Sequence, residues 1–540
     1  MKTNKMLASA MALALTTMSA QALADTTEDL INALVTKGVL TEDEGALLSK
    51  ANDKKVKNTP TLSNKDGKFT MSSADGKNEI AITGRLHFDT LFSDIDNDDI
   101  GGYKSQYDST ATWSDYDVDG KSIASDGEFL VRRARLGVKG KLDDIWKYAA
   151  VADFSKKGKA QIDEFSLKLV PSKSFYAEAG QFKQAFNLEG LTSSNDIDMV
   201  ERSWINQISP HKKLGFGIGG EIDKKSTWMA TVYQHNYNDS DTAIDKGFSG
   251  RLTHNFASDK DSIFHLGISG FTEDYSQTPK TSSNGINGTG DNVPGTTHAA
   301  LFNFKSSGNG LKPLASLQMS GAPLTGAGAS QYGKVNLDVE RKFGGLEAIV
   351  AKGPFKLQGE YTAGDYQAND GGVYGNTADA DINIGYITAG WILTGESYAG
   401  SYKGGKFKGL KPASTFNFEN GKGIGLWELT ARYQHLNIDD MWWTTDGSYN
   451  ETRFRGANPT SGGVKESYTA CTSSSKCSMS SHMYGIGLKW IANPNVLVKW
   501  DVEYTDFGSE LDPADIGTSG SSAGAIDSET LATMRVQYMF

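Results

Sequence analysis

From Glu79 to the C-terminus the chain alternates apolar and polar side chains with a period of two. Ile80, Ile82, Gly84, Leu86 and Phe88 share one face, while Thr83, Arg85, His87 and Asp89 share the other. Such alternation marks strands that keep one face in an apolar environment. It recurs in Leu130/Ala134/Leu136/Val138 against Arg133/Arg135/Lys139/Lys141, and in Trp427/Leu429/Ala431/Tyr433 against Glu428/Thr430/Arg432/Gln434. Val496/Val498/Trp500/Val502/Tyr504 and Met534/Val536/Tyr538/Phe540 repeat it near the end. About sixteen such segments lie between residues 79 and 540, and His298 to Phe304 is a further candidate that leaves eighteen open.

An apolar face on so many strands needs either a partner sheet or lipid, and the connections decide between them. Short turns such as Asp143-Asp144-Ile145, Pro171-Ser172-Lys173 and Asn493-Pro494 alternate with long connections such as 93–127, 272–331 and 439–480. Short turns on one side and long loops on the other belong to outer-membrane barrels. Two connections break the alternation: 155–159 is short where a loop is due, and 397–423 is long where a turn is due. The expected fold is all-β, a transmembrane antiparallel barrel of about sixteen strands over residues 79–540. That number leaves a water-filled lumen.

Upstream the pattern changes. Lys2 and Lys5, the apolar run Met6 to Met18 and the Ala22-Leu23-Ala24 site predict a signal peptide over residues 1–24. Leu30, Ile31, Leu34 and Val35 recur at helical spacing, and Thr41-Glu42-Asp43-Glu44 reads as a capping box. Residues 25–57 are therefore expected to form a periplasmic helical hairpin or coiled-coil segment, with a loosely ordered tether as the alternative. Residues 58–78 read as a polar linker.

One stretch between strands stands out. Ala185 to Lys213, AFNLEGLTSSNDIDMVERSWINQISPHKK, is too polar and too broken for a strand and too long for a passive hairpin connection. It reads as a loop folded into the barrel, where Lys183, Arg202, Lys212 and Lys213 face Glu189, Asp196, Asp198 and Glu201. The polar faces of neighbouring strands add Arg85, Arg133, Arg135, Lys139, Lys141 and Arg432 as pore candidates. Arg133, Arg135, Lys139 and Lys141 would form a descending series of charges that hands an anion along. The plainer alternative is that these cations pair with lumen carboxylates such as Glu164 and Asp501, or pin the loop to the wall. Arg132 has the opposite parity and is expected near the outer interface.

The segment Phe129-Leu130-Val131-Arg132-Arg133-Ala134-Arg135-Leu136-Gly137 resembles the phosphate- and polyphosphate-selective porin (porin O/P) family. The likeness continues through Gly180 to Ser194, Glu201-Arg202, Leu393-Thr394-Gly395-Glu396, Trp427 to Tyr433 and Asn493-Pro494-Asn495-Val496. It covers nearly all of residues 79–540. The resemblance implies a homotrimeric, sixteen-stranded channel of the Gram-negative outer membrane, narrowed by inward loops and lined with cations that select phosphate. Outer-membrane lipid, lipopolysaccharide and small inorganic anions are its expected partners.

Composition narrows the alternatives. The formal charge of −11 becomes −13 without Lys2 and Lys5, and no nucleic-acid partner is expected. The mean hydropathy of −0.42 and the lack of a long apolar window argue against an inner-membrane protein. Cys471 and Cys477, six residues apart in an exported chain, are expected to form a disulfide rather than a metal site. No cofactor is expected. Gly520-Ser521-Ser522-Ala523-Gly524 has the spelling of a nucleophile elbow but no helix after it, and no enzyme is expected. A channel for small anions, phosphate foremost, is the leading reading. A general or weakly cation-selective porin for small hydrophilic solutes is the alternative, and a binding barrel using Trp442, Trp443 and the two cysteines is a more distant one.

Overall fold

The computed structural model describes residues 30–57, 59–65, 68–96, 128–155, 159–235, 245–277, 297–308, 315–321, 337–369, 377–443, 453–456, 471, 473–474, 476–511 and 526–540. The signal peptide expected over residues 1–24 and much of the long connections lie outside them. In chain order the strands are β1 (Thr61–Lys65), β2 (Lys68–Ser72), β3 (Glu79–Asp96), β4 (Glu128–Leu142), β5 (Trp146–Asp153), β6 (Gln161–Leu169), β7 (Tyr176–Lys183), β8 (Lys212–Glu221), β9 (Ser226–Gln234), β10 (Lys246–Asn255), β11 (Ser262–Gln277), β12 (Thr297–Phe304), β13 (Ala315–Gly321), β14 (Leu337–Lys352), β15 (Phe355–Asn369), β16 (Thr377–Ile392), β17 (Leu426–Trp443), β18 (Arg453–Gly456), β19 (Cys477–Ile491), β20 (Val496–Leu511) and β21 (Ile526–Met539). Sixteen of them, β3–β11, β14–β17 and β19–β21, build an antiparallel β-barrel whose sheet also takes in β1 and β2. The run 297–304 is indeed a strand, but it pairs with β13 in a separate three-stranded sheet that includes β18, so the barrel does not reach eighteen.

The chain divides into two compact units. The smaller comprises Met1–Arg85, Ala134–Pro171 and Met539–Phe540. Within it, residues 30–36 and Glu42–Lys57 are helical. The Thr41 hydroxyl accepts from the Glu44 amide at 3.2 Å, and a Glu44 carboxylate oxygen accepts from the Thr41 amide at 2.9 Å. Residues 58–78 are not a bare linker, because β1 and β2 form a hairpin whose second strand pairs with β3 at Thr70↔Ala81. First and last strands meet where Phe540 and Gly84 exchange backbone hydrogen bonds of 2.9 and 3.2 Å. A Cβ at Gly84 would lie 2.2 Å from the Phe540 ring, so only glycine lets the terminal ring lie flat there.

The larger unit, Leu86–Arg133 and Ser172–Tyr538, is inside-out by the standards of a water-soluble protein. Phe216, Ile218, Leu266, Ile268, Val350 and Ile486 are exposed, whereas Glu428, Arg432, Lys499, Asp501 and Arg535 are buried. Apolar side chains that face outward on successive strands suit lipid, and polar ones that face inward suit a lumen.

Along the longest strands that polarity reverses. On β17 the inward residues run Glu428, Thr430, Arg432, Gln434 and then Leu436, Ile438, Met441, Trp443, all buried. The outward residues run Trp427, Leu429, Ala431, Tyr433 and then His435, Asn437, Asp439. Leu436, Ile438, Met441 and Trp443 join Ile382, Ile384, Met479, Phe507 and the side chains of Phe186 and Trp204 in one apolar cluster. The outward apolar band is bounded by Trp427, stacked 5.6 Å from Trp490, and by Tyr433, 5.3 Å from Tyr484. Six residues separate Trp427 from Tyr433, about 20 Å of strand. That approaches the ~25 Å apolar band, edged by aromatic girdles, of an outer-membrane barrel. Beyond the tyrosines the strands continue with a polar outer face and an apolar interior. Cys471 and Cys477 close a disulfide in that part of the molecule, with a Cα separation of 5.5 Å.

Candidate pore constriction

The segment between β7 and β8 folds inward and is fixed to the wall at many points. Asn187 starts it with φ 45°, and its side chain accepts from the Gly190 amide at 2.7 Å, setting up one helical turn at Leu188–Leu191. The Glu360 carboxylate on β15 receives the Leu188 and Glu189 amides at 2.7 and 2.8 Å. Glu189 in turn meets Arg432 on β17 at 2.6 Å, and Asp198 meets Lys356 on β15 at 2.5 Å. Lys499 on β20 donates to the carbonyls of Ile197 and Met199 at 2.6 and 2.9 Å, and Asp501 accepts from the Val200 amide. Trp204 closes the far side, its amide donating to Gln434 at 2.9 Å and its indole to the Ser306 carbonyl at 2.8 Å.

A second segment enters from the long connection after β16. Tyr398 donates to Glu428 at 2.6 Å, the Gly405 carbonyl accepts from Arg251 at 2.7 Å, and Tyr402 bonds His265 at 2.7 Å. This is why a long connection stands where a turn was due: it folds into the lumen. Lys356 lies over the Tyr398 and Phe407 rings at 4.8 and 4.7 Å, so one strand residue ties both inward segments together.

The expected ladder on β4 does not stand as drawn. Arg135 is paired with Asp153 at 2.7 Å and Asp163 at 2.8 Å, Lys139 with Glu164 at 3.0 Å, and Lys141 with Asp144 at 2.6 Å. These three, with half-buried Arg85, belong to the smaller unit. Arg432 is likewise committed to Glu189 and to the Glu201 carbonyl. The parity expected of Arg132 is also wrong. It faces inward and grips both oxygens of Glu201 at 2.9 and 3.1 Å, because strand alternation breaks next to it: Phe129 and Val131 are exposed, and so is Leu136.

Arg133 is the exception. It is 7 % exposed, its polar partner is the His87 ring at 3.4 Å, and among the described residues no carboxylate lies within ion-pair distance. Arg132, Arg202, Arg535 and Glu201 are all within electrostatic reach. Arg535 bridges Asp89 at 2.6 Å and Glu201 at 2.5 Å. Arg132 and Arg535 thus take up the two carboxylates Asp89 and Glu201, and Arg133 stands beside them without one. Burial alone would raise the Glu201 carboxyl, but Arg132 and Arg535 hold it well below the usual carboxylate range. Asp198 behaves alike, with burial opposed and outweighed by Lys356 and Lys489, and is held at about 2.

A second positive group gathers at the exit of the loop. Lys183 donates to the carbonyls of Leu191 and Thr192, Arg202 to those of Glu189 and Thr192, and Lys213 to that of His235. Half-buried Lys212 opens β8 beside them. His211, at φ 55°, keeps an exposed face. Desolvation by the atoms packed around it, with the charges of Arg202, Lys213, Arg341 and Lys183, pushes its imidazole down to about 3. Sequence reasoning put Arg132 on the wrong face and passed over His211, Arg341 and Arg535 as pore residues. Arg535 was legible from its place on a polar strand face, whereas the other three depend on the folded loop.

Known proteins match this chain as follows. A curated relative, Porin O of Pseudomonas aeruginosa, is 26 % identical over 327 residues, 57 % of this chain and 66 % of the relative, just under two thirds of its length. Among solved structures, the trimer form of OmpT from Vibrio cholerae aligns over 86 % of this chain and 99 % of its own at 9 % identity, TM-score 0.42. The anion-selective porin from Comamonas acidovorans aligns over 86 % and 100 % at 10 % identity, TM-score 0.43. The family model for phosphate-selective porin O and P matches residues 106–293 and 325–540, and the chain belongs to that family.

Proposed function

We propose that this protein is a passive, water-filled channel of the outer membrane for small anions, phosphate foremost, acting as a homotrimer. The observation that carries the reading is Arg133, a buried guanidinium with no carboxylate within ion-pair distance among the described residues. A buried unpaired charge is costly, and an anion from solution relieves that cost. Guanidinium forks match the paired oxygens of phosphate, and Arg132 stands next to Arg133 in the chain. Arg202, Lys183 and Lys213 supply a second positive step at the loop's exit, so an anion is passed between sites that hold it briefly. Asp89 and Glu201 keep the first step from binding too tightly to release. The family's description and the relative's name, Porin O, support the same solute class.

The segments ahead of the barrel complete the proposal. Residues 1–24 direct export and are removed, and the helical residues up to Lys57 stand in the periplasm, where their exposed Leu30, Val39, Leu47 and Leu48 meet a partner surface. Lipid and lipopolysaccharide surround the outward apolar band.

The test is the reversal potential of the purified protein in a planar bilayer under a potassium chloride gradient, repeated with added phosphate. Anion selectivity with block by millimolar phosphate, weakened by Arg133→Ala, is the expected result. Cation selectivity, or indifference to phosphate, would leave the barrel and overturn the solute.

A further inference from the structure

A cavity of about 280 Å³ opens beside the inward loop, at the long-connection ends of β11, β14 and β15. Its walls are the rings of Tyr275, Phe302, Phe304 and Tyr366, with Ile208 of the loop beneath and Arg341 at one side. Ring faces of this density are unusual for a polar channel wall, and the volume is near the lower end, roughly 300 Å³, of small-molecule pockets.

The polar atoms around it are only partly used. Arg341 gives Nε to Glu273 at 2.6 Å, one Nη2 contact to the same oxygen at 2.5 Å, and Nη1 to the Ile208 carbonyl at 3.0 Å and the Tyr366 hydroxyl at 2.8 Å. A guanidinium has five N–H groups, so one on Nη2 has no partner among the described residues. His235 lies flat on Tyr275, 3.7 Å between centroids, and bonds Glu273 through Nδ1 at 2.7 Å, which leaves Nε2 without a partner among those residues. Neither the Tyr275 hydroxyl nor the exposed Asn303 amide has a partner among them either.

The cavity also adjoins the positive group at the loop's exit, since Arg341 is one of the cations acting on His211. A solute that satisfies both surroundings carries a planar ring and an anionic group. We infer that this cavity is an entry subsite for ring-bearing organic anions, an aromatic phosphate or carboxylate. The ring stacks among Tyr275, Phe302 and Tyr366, and the anionic group meets the spare Arg341 N–H and the Asn303 amide. The subsite widens the solute range beyond inorganic anions and rests on the positive loop proposed above.

The experiment compares phenyl phosphate with inorganic phosphate as blockers of current through the purified full-length protein. The expected midpoint for phenyl phosphate is at least tenfold lower. Phe302→Ala raises that midpoint by tenfold or more and leaves the inorganic phosphate midpoint unchanged. Asn303→Trp, a change at an exposed rim position that fills the cavity, has the same expected effect and guards against a folding defect in the first variant. Equal midpoints for the two blockers, or variants that shift both alike, would overturn the subsite. Block by neither ion, with a cation-selective reversal potential, would instead overturn the underlying anion channel.

Discussion

Arg535, on the last strand, places Nη2 2.5 Å from Glu201 at the centre of the inward loop, and the same guanidinium holds Asp89 on the first barrel strand at 2.6 Å. One buried cation therefore fixes the loop and joins the two strands at the barrel seam. Arg535→Met leaves two buried carboxylates without it, and breaking a buried pair costs about 3–5 kcal/mol. The variant is expected to unfold at a lower denaturant concentration and to show a noisier, larger conductance as the loop leaves its seat. A quiet channel of unchanged conductance would mean that the other contacts suffice to hold it.

Arg133 and Arg135 differ in what they do despite standing two residues apart. Arg133→Ala is expected to weaken phosphate block by about 1.5–3 kcal/mol, the range for a hydrogen bond to a charged group, or roughly tenfold to a hundredfold in the midpoint. Arg135→Ala removes a cation already shared by Asp153 and Asp163, and the block midpoint should stay within about twofold. Equal losses from both would restore the ladder of charges expected from strand alternation.

That contrast shows what the sequence could and could not carry. The strands were legible because alternation is local: the alternating runs from Leu130 to Lys141 and from Trp427 to Gln434 reappear within Glu128–Leu142 and Leu426–Trp443. The inward loop was legible because its length and polarity fit no strand. The pairing of charges was not. Arg135 finds Asp153 through the β4–β5 register and Asp163 one strand further on, and Arg132 finds Glu201 only because β4 loses its alternation beside it. The reversal of apolar and polar faces along β17 was also hidden, since the period of two is unchanged when the faces exchange roles.

The Cys471–Cys477 disulfide lies beyond the outward apolar band, far along the chain from the loop residues that line the constriction. Replacing both cysteines with serine is expected to lower the thermal midpoint, since closing even a short loop contributes roughly 2–3 kcal/mol in the chain-entropy model. Single-channel conductance and anion selectivity should not change. A change in selectivity would tie the disulfide to the pore.

Acid should release the loop in two stages. His211 is held at about 3, against roughly 6.5 for a free imidazole. As pH falls below 6.5 the unfolded segment takes up a proton that the folded one refuses, and stability declines until about pH 3. Asp198, held at about 2, and Glu201, held well below its usual range, act over a lower window. Their contribution is fully present above the ordinary carboxylate values near 4 and is lost as pH falls toward 2. Open-channel noise and protease cleavage within residues 185–211 should therefore rise gently from pH 6.5 and steeply below 4. His211→Asn, which keeps a residue tolerant of the left-handed backbone at φ 55°, should abolish the upper stage alone. Asp198→Asn should weaken the loop already at neutral pH and flatten the lower stage. A profile that is level from pH 7 to 4.5, or an upper stage that survives His211→Asn, would show that His211 does not sit in the field of Arg202, Lys213, Arg341 and Lys183.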